Sequence, residues 1–164
     1  MIGRAIYDVM VFIQWASLPV GRQHATIKAL CDGTVRLVMS QDALDEIRMV
    51  LNRPELTDRL PNLTPERVNQ VIRATVELAE WIPNVPEAFT WSHHPDDDHF
   101  FNLAIAARAD WFVTFEERIL NMRKNFPTDA AHLQALAPRL RIVDPKTLSL
   151  ELRADREKAE PIRE

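Results

Sequence analysis

The chain has 164 residues, of which 46% are hydrophobic, so it can form one globular domain with a buried core but not two. Its 24 acidic and 20 basic side chains give a net charge of −4, so a polyanion would have to bind through a local basic patch or metal ions. The only glycines are Gly3, Gly21 and Gly33, so the sequence contains neither a dinucleotide-binding nor a phosphate-binding glycine motif.

The N-terminal region predicts a strand over residues 4–9, with Asp8 at its C-terminal end, followed by a helix over residues 11–17. Arg4 ahead of apolar residues is typical of a signal peptide, but Asp8 interrupts the apolar run, so we expect no export. The one cysteine, Cys31, cannot form an internal disulfide, which suits a cytoplasmic location. No stretch approaches the roughly 20 apolar residues needed to span a bilayer, so we expect no membrane association.

The next elements are a helix over residues 23–32, a strand over residues 35–39 and a helix over residues 41–51. Ser40 is suited to cap the last of these helices, which carries Glu46 in its second turn.

A long helix opens at Thr64, and its apolar residues recur at helical spacing. The proline-containing segment after it has room for one short strand, which we place at residues 89–91.

Residues 94–116 are the most informative stretch of the sequence. Three aspartates, Asp96, Asp97 and Asp98, open an alanine-rich amphipathic helix, and a strand over residues 111–115 then ends at Glu116. Acids at a helix N-terminus are stabilised by the free amides and the helix dipole. The aspartates therefore have a purely structural explanation unless other acids point to the same place.

The C-terminal part predicts a helix or loop over residues 116–125, a helix over residues 129–136 and a last strand over residues 140–143. We place a domain at residues 1–150 and a charged tail at residues 151–164, as a solvated helix or a disordered arm. Strands alternating with helices predict an α/β fold, a three-layer α/β/α sandwich with a mostly parallel central sheet.

Carboxylates from four separate segments are predicted to meet at one edge of this sheet, because function gathers outside the C-terminal ends of parallel strands. They are Asp8, Glu46, Asp97 and Glu116. Two carboxylates 4 Å apart repel by roughly 4 kcal/mol at an effective dielectric of 20, so protonation or a cation must relieve them. Oxygen ligands favour Mg²⁺ or Mn²⁺, ions that activate water and stabilise the charge on a phosphodiester undergoing hydrolysis.

Some alternatives stay open at this stage. Asp96 or Asp98 can replace Asp97, since the sequence does not fix the register within the run. Thr114 either orients a carboxylate or is an ordinary strand residue. Zinc is disfavoured because no second ligand pair with zinc spacing accompanies the three nearby histidines, His93, His94 and His99.

The order of several motifs resembles the PIN-domain family, most closely the VapC-like toxins of bacterial toxin-antitoxin systems, over roughly residues 2–148. The motifs are Asp8 after the first strand, Arg53-Pro54-Glu55-Leu56, Pro95-Asp96-Asp97-Asp98-His99-Phe100, Ala109-Asp110, Val113-Thr114 and Ile142-Val143-Asp144-Pro145. The resemblance implies a metal-dependent ribonuclease that uses the four acids above. It also implies an RNA substrate and an antitoxin partner; the charged tail or a groove beside the long helix is suited to an antitoxin or to a second copy in a homodimer.

The sequence departs from the family pattern beside two of the acids. Val9-Met10 stands where Thr-Asn is usual, and Glu116 follows Phe115 where Asp after Gly is common. Val9-Met10 favours a second hypothesis, a catalytically impaired module that binds RNA or protein. A metal-dependent phosphatase or DNA nuclease is a third. The candidate bases for binding substrate phosphates are Arg22, Arg48, Arg53 and Lys124.

Overall fold

The computed structural model describes residues 2–19, 22 and 24–159. Parts of the predicted 23–32 helix and of the predicted tail, residue 23 and residues 160–164, lie outside the described residues.

Parallel strands form the centre of the described structure, in the order β3-β2-β1-β4-β5. The strands are β1 Gly3–Tyr7, β2 Val35–Met39, β3 Glu80–Trp81, β4 Trp111–Val113 and β5 Arg141–Val143. Every neighbouring pair is parallel, with Ala5 opposite both Leu37 of β2 and Trp111 of β4. The central strand β1 therefore has one strand on each side.

Helices flank both faces of the sheet, and a 3₁₀ turn at Pro95–Asp97 precedes α6. They are α1 Val9–Ser17, α2 Ala25–Cys31, α3 Gln41–Leu51, α4 Pro54–Arg59, α5 Pro65–Leu78, α6 Asp98–Ala106, α7 Glu117–Leu120, α8 Met122–Asn125, α9 Pro127–Leu136 and α10 Pro145–Ala159. Helices α2 and α10 contact each other and pack on β2 and β4, whereas α3 contacts α1, α5 and α6. The predicted α/β sandwich is confirmed.

The predicted strand at residues 89–91 is wrong, because the third strand is Glu80–Trp81. Phe89 and Trp91 are buried as a strand would be, but side chains of α6 bind their backbone. The amides of Ala88 and Phe89 donate to Oδ1 of Asn102 at 2.9 and 2.8 Å, and Asn102 Nδ2 donates to the Phe89 carbonyl. The segment therefore satisfies its buried polar groups without a strand partner.

Other element boundaries shift for local reasons. After α3, Pro54 opens the short helix α4, which was not predicted from the sequence; proline is favoured at the first position of a helix. Strand β4 ends at Val113 and not at residue 115.

Helix α10 continues past residue 150 into the segment predicted as a charged tail. Glu151 accepts a hydrogen bond from Nε1 of Trp111 at 2.9 Å and pairs with Arg141 at 2.6 Å. The first turns of that segment are thereby attached to β4 and β5. In the described ranges, no helix combines the length and apolar character that crossing a membrane requires.

Replacing Asn102 by alanine is expected to lower the free energy of unfolding by about 2–4 kcal/mol, because the buried amide of Phe89 and the partly buried amide of Ala88 lose their acceptor. Urea denaturation measures the loss. The matched control is Asn69→Ala on the exposed face of α5, which should change stability by no more than about 0.5 kcal/mol. Equal effects of the two substitutions would contradict this role for Asn102.

Candidate active site

Asp8 lies at the C-terminal end of the central strand and is only 6% exposed. The hydroxyl of buried Thr114 donates to Asp8 Oδ2 at 2.7 Å and accepts a hydrogen bond from the amide of Glu116 at 3.0 Å. Thr114 therefore orients the Asp8 carboxylate and joins it to the segment that carries Glu116. Its hydrogen bond favours the charged carboxylate and opposes the rise in the pKa of Asp8 that burial causes.

Four acids lie in or next to helices at this edge of the sheet, and we call them the acid cluster: Asp8, Glu46, Asp97 and Glu116. Asp8, Asp97 and Glu116 occupy the N-cap positions of α1, α6 and α7, but none makes a side-chain capping hydrogen bond. Glu46 lies in the second turn of α3. Helix capping by these side chains therefore does not account for the three acids.

The acids of the cluster are close enough to perturb one another. Burial is the main cause that raises the pKa of Asp8, and the charges of Glu116 and Glu46 raise it further. Burial and then the charges of Glu116, Asp8 and Glu46 raise the pKa of Asp97 to about 7, against the opposing effect of His99. A cation bound here would favour the charged form of both aspartates.

The three consecutive aspartates have different surroundings. Asp98 Oδ1 accepts a hydrogen bond from the Trp91 amide at 2.8 Å, so it fixes the preceding loop to α6. Asp96 and Asp98 line a neighbouring cleft, whereas Asp97 is the one whose pKa is raised by the charges of the other three cluster acids. Asp97 is therefore the member of the run for which an electrostatic interaction with the rest of the acid cluster is resolved.

The two glutamates of the cluster each contact a basic side chain. Glu46 Oε2 contacts Nε2 of His99. Glu116 Oε1 accepts hydrogen bonds from Nε and Nη2 of Arg118 at 3.0 and 2.6 Å, and Arg118 Nη1 lies 2.8 Å from His94 Nε2. Since arginine can only donate, His94 is the acceptor in that bond.

The acid cluster suits a hard divalent ion in its chemistry, because it offers four carboxylates that repel one another. Its side chains are not gathered around one point: within the described residues, no three Asp, Glu, His or Cys side chains form a group that could hold a metal ion. The two glutamates contact Arg118 and His99 instead.

An acidic cleft of about 460 Å³ lies beside the cluster. Its lining includes the acids Asp42, Glu87, Asp96 and Asp98, with His99. Phosphate groups are disfavoured there by like charge.

Sequence analysis missed Arg118 as a site residue and considered His99 only as a zinc ligand. The available signal for Arg118 was its position two residues after Glu116, but the contact depends on the turn between them. In the ranges described, the predicted phosphate-binding bases form no ion pair with the acid cluster; they are Arg22, Arg48, Arg53 and Lys124.

Comparison with known families identifies the architecture around this site. The PIN domain profile matches residues 4–118, which is more than half of the chain and includes the whole acid cluster. The chain belongs to the PIN domain family. PIN domains are generally nucleases and typically use divalent metal ions. Neither the curated proteins nor the solved structures contain a match to this chain.

The stability of this PIN domain should depend on the protonation of Asp97. The pKa of Asp97 in the folded protein, about 7, lies above the value near 4 of an ordinary aspartate. The folded state therefore binds the proton more tightly, and the free energy of unfolding falls as the pH rises from about 4 to about 7.

We expect Asp97→Asn to raise the free energy of unfolding in EDTA by about 1–2 kcal/mol at pH 8, after allowance for solvent screening of this partly exposed side chain. The gain should be smaller at pH 5. Urea denaturation at both pH values measures it, with Asp155→Asn on the exposed surface of α10 as the control. A gain that is the same at pH 5 and pH 8 would contradict the raised pKa.

Proposed function

We propose that this PIN-domain protein is a metal-dependent endoribonuclease that hydrolyses RNA phosphodiester bonds. The observation that carries the proposal is the placement of four carboxylates from separate segments at the C-terminal edge of the sheet, where burial first, and then the charges of Glu116, Asp8 and Glu46, raise the pKa of Asp97 to about 7. Repulsion of this kind is relieved when a divalent cation binds between the acids.

In this proposal Asp8, Glu46, Asp97 and Glu116 would hold Mg²⁺ or Mn²⁺ once the two glutamates turn away from His99 and Arg118. A bound ion of this type activates water and stabilises the developing charge on the phosphate. The contribution of the chain itself is positional: burial of Asp8 excludes water from its carboxylate, and the Thr114 hydroxyl fixes its orientation.

The four acids alone suit a DNA nuclease or a phosphatase as well as a ribonuclease. We favour RNA as the substrate because residues 95–116 resemble the toxin branch of the family. The same pattern supports a toxin role, with an antitoxin as partner or a second copy of the chain in a homodimer. The role fits a cytoplasmic location, which a single cysteine suits.

A specific observation favours the second candidate, a PIN-fold module that binds RNA or protein without turnover. The two residues after Asp8 are apolar: Val9 is buried, and Met10 is 48% exposed at the start of α1. No polar side chain from these two positions supports the site.

The discriminating experiment is cleavage of a panel of single-stranded RNAs by purified protein in Mn²⁺, with DNA and a phosphate monoester for comparison. Asp8→Asn and Asp97→Asn should each lower the cleavage rate at least about 100-fold, because each removes a charged metal ligand. Asp155→Asn, an exposed aspartate on α10, should leave the rate unchanged.

Each alternative has its own result in this assay. Cleavage that persists in both cluster variants indicates a contaminating nuclease and contradicts the catalytic assignment. Failure of the parent protein to cleave any RNA, combined with RNA binding, supports the binding module. Faster hydrolysis of DNA or of the monoester reassigns the substrate.

Thr114 offers a test of positioning that leaves every carboxylate in place. Thr114→Val removes the hydrogen bond to Asp8 at nearly constant shape, so we expect Mn²⁺ affinity or activity to fall about 10–100-fold. Thr114→Ser keeps the hydroxyl and should restore most of the loss. Calorimetric Mn²⁺ titration and initial rates provide the readouts, and equal losses in both variants would contradict a role for the hydroxyl.

A further inference from the structure

Arg118 is held at the edge of the acid cluster by three hydrogen bonds, although its side chain is 57% exposed. Two go to Glu116 Oε1 and the third to His94 Nε2. The His94 ring packs against the fully buried Trp91, with centroids 4.8 Å apart. The guanidinium is therefore fixed between the cluster and an anchored ring.

Arg118 donates to Oε1 of Glu116, one of the four acids that would hold the metal ion. A guanidinium carries one positive charge spread over three nitrogens, whereas Mg²⁺ or Mn²⁺ carries two on a compact ion. The ion is the stronger partner for a carboxylate that other carboxylates repel. The pairing of Arg118 with Glu116 partly offsets the charge that would attract the ion, so it opposes metal binding.

Arg118 is an exposed cation beside the acids that are proposed to act on the substrate phosphate. Guanidinium binds phosphate through paired hydrogen bonds. The neighbouring cleft, which Asp96 and Asp98 line, is acidic, so like charge disfavours phosphate there. Within the described residues, Arg118 is the arginine or lysine that pairs with a member of the acid cluster.

We propose that Arg118 competes with the divalent ion for Glu116 and, once displaced, binds a phosphate of the RNA substrate. This inference rests on the proposed nuclease function. It adds a residue that couples metal binding to substrate binding. Arg118 thus opposes binding of the metal ion and promotes binding of the RNA.

The test compares Arg118→Ala with Arg123→Ala, which removes an exposed arginine of α8 and makes the same change in net charge. Calorimetric titration with Mn²⁺, without RNA, should show about two- to fivefold tighter binding for Arg118→Ala, since an exposed ion pair contributes little. The KM for single-stranded RNA should rise, with kcat/KM falling about 10–100-fold.

Salt dependence supplies a further readout. Removal of one phosphate contact should reduce the slope of log affinity for single-stranded RNA against log salt by about 0.7. Arg118→Lys keeps one charge without the paired donors, so its RNA affinity should be intermediate. Arg123→Ala should match the parent protein in Mn²⁺ affinity and in KM.

Opposite changes in Mn²⁺ and RNA affinity support the proposal, because general damage to the site would weaken both. Unchanged or weaker Mn²⁺ binding by Arg118→Ala overturns it, as does an equal effect of Arg123→Ala. If the parent protein binds Mn²⁺ and Asp8→Asn does not, either of these contradicting results overturns only the role of Arg118 and leaves the proposed function in place. If the parent protein binds no Mn²⁺, both the proposed function and this inference fail.

Discussion

Burial of a carboxylate at the end of the central strand is the constraint on which the site depends. Asp8 loses its water because β1 has a strand on each side, and Thr114 supplies one hydrogen bond in return. The same strand order sets the neighbours of Asp8, since β2 leads into α3 with Glu46 and β4 leads to Glu116. The arrangement that stabilises the sheet therefore also concentrates negative charge at one edge.

The basic side chains beside the cluster show how the folded protein tolerates that charge. His99 contacts Glu46, and Arg118 pairs with Glu116, whereas the two aspartates carry the raised pKa values. The charge of the cluster is thus offset in two ways, by contacts of the two glutamates with basic side chains and by the raised pKa values of the two aspartates.

Local sequence signals were sufficient for much of the fold and for the location of the candidate site. Residues 35–39 and 41–51 were predicted with the observed bounds, because the β-rich apolar run and the Ser40 cap are encoded locally. Residues 89–91 were misassigned because Asn102, distant in sequence, binds their backbone. Arg118 was missed for a similar reason, since its contact with His94 depends on tertiary structure and no periodic pattern in the sequence predicts it.

The bond between Asp98 and the Trp91 amide has a consequence for how this chain can change in length. It closes a ring of backbone from Trp91 to Asp98 that includes His94 and ends beside Asp97. An insertion or deletion inside that ring would move an acid of the cluster and the histidine that holds Arg118. Residues 83–87 lie outside the ring and are largely exposed, so length variation there leaves the site in place.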